Sequence, residues 1–169
     1  LTDVVVTLRN GRAHEKHTEG GDFREATYRA IRHALHFTQN VLLEPYVAFV
    51  LRVPIGQVGR AMADLQRLHA QVQAPQMLPQ WAELAGKGPV STLMDYGSEV
   101  LAYTGGTGVW TCTFCGYAPC HNAQEVIAQK GYDCERDVEN TADSVFCAKG
   151  AGYTVKWQEV ADHIHCEVR

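Results

Sequence analysis

The stretch Asn40-Val41-Leu42-Leu43-Glu44-Pro45-Tyr46-Val47-Ala48-Phe49-Val50-Leu51-Arg52-Val53-Pro54 decides how the chain divides. It begins where a helical pattern stops, and it carries a proline at each end of an apolar run. Pro45 steers Glu44 away from helical geometry, and Pro54 stops the strand. Between them, Tyr46-Val47-Ala48-Phe49-Val50-Leu51 has the β-branched and aromatic content of a buried strand. A helix rich in arginine and histidine precedes it. A succession of helix, two strands, helix and strand follows. The stretch therefore reads as the border of one domain and the first strand of the next.

Upstream, residues 4–8 (Val-Val-Val-Thr-Leu) read as a strand, and Asn10-Gly11 as a turn. Residues 12–21 are polar, mixed in charge and glycine-ended, which marks an exposed loop. Asp22 is expected to cap a helix over residues 23–37, with Glu25 three positions on. Its apolar stripe includes Phe23, Ala30, Ile31 and Ala34, while Arg24, Arg29, Arg32, His33 and His36 fall mostly off it. A loop holding Arg12, His14, Lys16 and His17 beside such a helix suits contact with RNA phosphates. Glu15 and Glu19, interleaved in it, weaken that reading, and from composition alone an ordinary solvated loop is the better fit.

Downstream, a helix over residues 56–70 places Val58, Met62, Leu65 and Leu68 on one stripe, and Gly59 inside it suggests close packing. Residues 72–78 read as a short strand or turn broken by Pro75. Residues 81–85 alternate weakly, and Gly86-Lys87-Gly88-Pro89 reads as a loop. Ser91 is a fair cap for a helix over 92–103, and residues 109–115 form a strand. The order β-α-β-β-α-β is that of a split βαβ, ferredoxin-like sandwich, a fold that by itself fixes no function. Beyond Gly116 the chain is expected to hold a short helix over 123–130 and an acidic loop over 135–143. Strands at 144–147 and 152–155 and a last helix over 157–165 complete it.

The chain has 169 residues, 46% hydrophobic and 20% charged, enough apolar content for one or two small cores. Its net charge of −4 is uneven: residues 1–40 sum to +1 and residues 116–169 to −4. Any surface meeting nucleic acid is expected at the front. No apolar run is long enough to span a bilayer, and no signal-peptide pattern opens the chain, so no membrane partner and a cytoplasmic location are expected. The abrupt start at Leu1, without Met, points to an excised piece of a longer protein.

Six cysteines at irregular spacing fit reduced thiols better than a disulfide framework. Cys112-Thr113-Phe114-Cys115 has C-x-x-C spacing, and Cys120-His121 follows. These four residues are the alternative candidates for a zinc site, with free thiols as the plain reading. Side chains at i and i+3 of a strand face opposite ways, which argues against the first pair as joint ligands. No nucleophilic triad is evident.

Four segments taken in order resemble elongation factor G and its tetracycline ribosomal-protection relatives. They are Gly11-Arg12-Ala13-His14 with Phe23 beyond; Leu42-Leu43-Glu44-Pro45 with its strand; Val53-Pro54 through Gly59 to Asp64-Leu65-Gln66-Arg67; and Pro89-Val90 through Thr104-Gly105-Gly106-Thr107-Gly108 to Trp110-Thr111-Cys112-Thr113-Phe114. The resemblance covers roughly residues 3–117. It implies an α+β chain: residues 1–41 as the second half of a fourth domain, 42–117 as a ferredoxin-like fifth domain, and 118–169 as a short α/β extension. It further implies a ribosome partner, with Arg12, His14, Lys16 and His17 in a tip loop near small-subunit rRNA at the decoding site. The loop sequence Ala13-His14-Glu15-Lys16-His17 departs from the protection pattern, and Thr107 stands where an arginine is often found. The Leu43-Glu44-Pro45-Tyr46 strand start and the tail lean towards that branch. No Gly-x-x-x-x-Gly-Lys-Ser/Thr loop is present, so GTP and Mg would belong to a domain outside this chain, and the chain itself is expected to carry no catalysis or cofactor. A translocase paralogue or a small zinc module is the alternative reading. A half-domain would leave residues 4–6 as an exposed apolar face, with homodimerisation through it as the expected consequence.

Overall fold

The computed structural model describes residues 1–13 and 18–164. In chain order its helices and strands are α1 (Gly20–His36), β1 (Leu43–Pro54), α2 (Val58–Arg67), β2 (Gln71–Val72), β3 (Gln76–Met77), β4 (Trp81–Pro89), α3 (Val90–Leu93), α4 (Tyr96–Tyr103), β5 (Val109–Pro119), α5 (Ala123–Lys130), β6 (Ser144–Ala148), β7 (Ala151–Val155) and α6 (Val160–His163). They fall into two compact units. One is Val41–Lys130; the other joins Leu1–Asn40 to Gly131–Arg169. Strand β5 runs on to Pro119, and α5 falls within the Val41–Lys130 unit.

In the Val41–Lys130 unit, β1 is one of two inner strands, with β4 the other. It pairs antiparallel with β4 from Tyr46↔Pro89 to Pro54↔Trp81, and with β5 from Leu43↔Pro119 to Arg52↔Val109. The order β2-β4-β1-β5, with β3 also on β4, is that of the split βαβ sandwich. Val47, Phe49, Leu51 and Val53 point into the core, whereas Val50 is 40% exposed and Arg52 faces out. The strand is thus covered on one face only, as antiparallel sheets commonly are. Its continuous apolar run hid that alternation, because Ala48 and Val50 on the open side are themselves apolar.

Helices α2, α3 and α4 supply Ala61, Leu65, Leu93, Tyr96 and Val100 to the same core. Trp110 stacks on Phe49 at 4.8 Å between ring centroids and meets Tyr96 edge-on at 5.2 Å. Such pairs contribute about 0.5–1.5 kcal/mol beyond their burial. The expected single helix over 92–103 is two short ones. Ser91 caps neither, because its hydroxyl donates to Glu44. Gly59 was expected to mark close packing, but a Cβ there would meet open space.

Gly86 and Gly88, expected in a loop, lie within β4. A Cβ on Gly86 would run into the Gln71 carbonyl and come within 2.8 Å of Phe49 Cζ. One on Gly88 would lie 2.7 Å from Leu93 Cδ1. Close approach of β2 and the core, not a turn, demands these glycines.

In the other unit, α1 opens with a reciprocal box in which Glu19 is the N-cap and Asp22 accepts from the Glu19 N–H at 2.9 Å. Asp22 therefore serves from inside the first turn and not as the cap itself. No α1 residue is fully buried, yet residues 140–157 dock along the helix. Arg29 donates to the Asp143 carbonyl at 3.0 Å and Arg32 to Asn140 Oδ1 at 3.0 Å. The His33 ring nitrogen lies 2.9 Å from the Trp157 carbonyl, and the His36 ring stacks on Trp157 at 4.2 Å. Strands β6 and β7 form a hairpin whose turn residues, Lys149 and Gly150, both have positive φ, as the favoured two-residue turn requires. The last helix spans only Val160–His163 among the described residues. Residues 4–8 form no strand: Val5 is 92% exposed, and no strand among the described residues offers them a ladder.

Asp143 is the polar anchor of this unit. Burial pushes its carboxyl up, but Lys156 Nζ at 2.8 Å and the Trp157 N–H at 3.0 Å more than offset that and hold it below the ordinary value. A depressed folded value stabilises above the unfolded value and is lost as pH falls through the folded one. Asp143→Asn is expected to destabilise this unit by about 1–3 kcal/mol at pH 7. In denaturant melts the gap to the parent chain should close as pH drops below about 4. Gly86→Ala is expected to cost the sheet unit about 1–3 kcal/mol, whereas Gly59→Ala should be neutral or stabilising by up to about 1 kcal/mol. Both are read as shifts in unfolding midpoint.

Candidate functional site

The sequence-predicted residues separate in space. Arg12 is exposed, and His14, Lys16 and His17 lie outside the described residues. The arginine-bearing helix beside that loop is less available than its composition suggests, because Arg29 and Arg32 are engaged by residues 140–143. Cys112 and Cys115 are both exposed on β5. Cys115 occupies the bulge where the register shifts between Tyr46 and Val47, opposite no residue of β1. Neither joins a group of three candidate ligands among the described residues.

Cys120 and His121 do converge, on a residue that the cysteine spacing could not reveal. Glu44, the second residue of β1, is only 8% exposed. Its Oε1 accepts from the His121 backbone N–H at 2.7 Å and lies 2.7 Å from His121 Nδ1. Its Oε2 accepts from the Ser91 hydroxyl at 3.1 Å. Burial pushes the Glu44 carboxyl up, but these bonds and the charge available on His121 outweigh it and leave the group below its ordinary value. The Cys120 N–H donates to the Leu42 carbonyl at 2.9 Å, and its thiol donates to Asn122 Oδ1 at 3.3 Å. A Glu44 carboxylate oxygen, the Cys120 sulfur and a His121 ring nitrogen all lie within 4.8 Å of one another.

The fold makes this convergence because β1 begins where β5 ends: Leu43 pairs with Pro119. A fourth side chain stands alongside. His69 is exposed, and its ring centroid is 4.5 Å from that of His121. It follows the C-cap of α2, with φ of 59°. There its N–H bonds Gln66 and the next N–H bonds Leu65, the double bond that usually ends on a glycine. A non-glycine residue costs about 1 kcal/mol in that conformation. A carboxylate, a thiol and two imidazoles at one corner can bind a cation or pass a proton. They can also simply fasten the two ends of the sheet.

A family model described as elongation factor G C-terminus matches residues 41–127. Tetracycline resistance protein TetP of Clostridium perfringens is 32% identical over 117 residues, covering 69% of this chain. The chain spans about a fifth of that relative's length, 18%. A crystal structure of a Thermus thermophilus protein is similar over 55% of this chain and 14% of its own, at 24% identity and a TM-score of 0.49. The fold stands on the strand order, without that likeness. No described helix is long and apolar enough to cross a membrane. With half its residues matched by the family model, the chain belongs to the elongation factor G C-terminus family.

Proposed function

We propose that this chain is the ribosome-engaging C-terminal region of a longer translational GTPase of the tetracycline-protection kind. Residues 12–17 would form its tip near small-subunit rRNA. The observation that carries this reading is the 32% identity to TetP over 117 residues, a likeness longer than the segment 41–127 matched by the family model. The Val41–Lys130 unit is the platform in this reading: a sheet covered on one face. GTP and its magnesium ion would be held by a domain outside this chain, since the sequence lacks the phosphate-binding loop.

Contact with RNA phosphates releases counterions, so it has a salt signature. Replacing Arg12 and Lys16 by Ala in the full-length protein is expected to weaken ribosome binding about tenfold at physiological salt. It should also flatten the log–log salt dependence by roughly one to two. Ribosome co-sedimentation across a salt series reads both. Unchanged affinity and slope would remove these residues from the interface.

A further inference from the structure

We propose that Glu44, Cys120 and His121 form a zinc-binding site that fastens the start of β1 to the end of β5. The ligand set differs from the one that the C-x-x-C spacing suggests, since Cys112 and Cys115 lie exposed and outside it.

Two ligands held at about 2.0 Å in a tetrahedron stand about 3.3 Å apart, and a sulfur ligand at about 2.3 Å stands slightly farther. Glu44 Oε1 and His121 Nδ1 stand 2.7 Å apart, and the three ligand atoms all lie within 4.8 Å of one another, close to what a tetrahedral site needs. Side-chain shifts of roughly an ångström convert the hydrogen-bonded cluster into a ligand set. Glu44 and His121 are already shielded, with side chains 10% and 15% exposed, so the carboxylate needs no further desolvation to receive the ion. Thiolate, imidazole and carboxylate together favour zinc and disfavour magnesium or calcium, which take oxygen ligands. On binding, the Cys120 thiol releases its proton to solvent and the zinc–sulfur bond forms.

Two neighbours complete the picture. Ser91, donating to Glu44 Oε2, orients the carboxylate as outer-shell partners do. The exposed His69 ring packs on His121 at 4.5 Å between centroids, which puts a second imidazole next to the three ligands. A role as ligand gives a reason for a histidine at a position where glycine costs less.

The test uses the 169-residue chain, reduced and stripped of metal, titrated with zinc against a chelator and separately with cobalt. One zinc per chain is expected here, with the thiolate-to-cobalt charge-transfer band of a tetrahedral site. Cys120→Ser and His121→Asn should each weaken zinc binding by at least about 100-fold, and Cys120→Ser should abolish the band. The joint Cys112→Ser, Cys115→Ser variant should leave both unchanged. Cys120→Ser keeps the falsification clean, because the thiol's hydrogen bond goes only to the Asn122 side chain and circular dichroism checks the fold. Absence of zinc binding, binding indifferent to Cys120→Ser, or binding lost with Cys112 and Cys115 would each overturn the proposal.

Discussion

Hydrogen bonding along both edges of β1 is the constraint on which the Val41–Lys130 unit depends. A strand paired on one side leaves a row of backbone donors and acceptors to satisfy elsewhere. Here β4 and β5 take both rows along most of β1's twelve residues. The inward side chains then have one cover, the helices that follow β1 and β4. Phe49, Leu51 and Val53 meet Leu65, Leu93, Tyr96 and Val100, and Trp110 from β5 closes over Phe49. Gly86 and Gly88 follow from the same demand: β4 must lie between β1 and β2 while Phe49, Leu93 and Ala70 crowd against it.

Glu44 belongs to this logic as well. A carboxylate that is mostly removed from water is costly unless its oxygens are filled. The end of β5 supplies His121, and the start of α3 supplies Ser91. Polar groups thus close the end of the sheet that the apolar core does not reach. In the other unit Asp143 plays a comparable part, gathering Lys156 and the Trp157 amide while its own carbonyl receives Arg29. Both acids do structural work that composition reports only as negative charge.

Local chemistry made much of the sheet unit legible. Pro54 ends β1, although the strand starts at Leu43, two residues before Pro45; the stripe from Val58 to Leu68 gave α2, and the β-branched and aromatic residues after Gly108 gave β5. The misreadings share one cause, which is that they depend on distant partners. Residues 4–8 have strand chemistry, but no strand among the described residues pairs with them. A glycine required by a neighbouring strand looks the same in sequence as one required by a turn, so 86–89 read as a loop. The Glu44–His121 pair spans 77 positions, and the Arg29–Asp143 bond spans 114. Cys120 and His121 were visible as candidate ligands, but the residue that joins them was not. Its one trace was an acid placed at the start of a strand, next to a proline.

The proposal that the chain is part of a longer GTPase of the tetracycline-protection kind rests on its likeness to TetP, and cell-free translation in the presence of tetracycline tests it most directly. The account predicts that adding the full-length protein with GTP restores peptide synthesis stalled by the drug. It also predicts that the Arg12→Ala, Lys16→Ala form restores less at equal concentration. Failure of the intact protein to relieve the drug, together with support of translocation when elongation factor G is withdrawn, would contradict it and move the chain to the translocase branch.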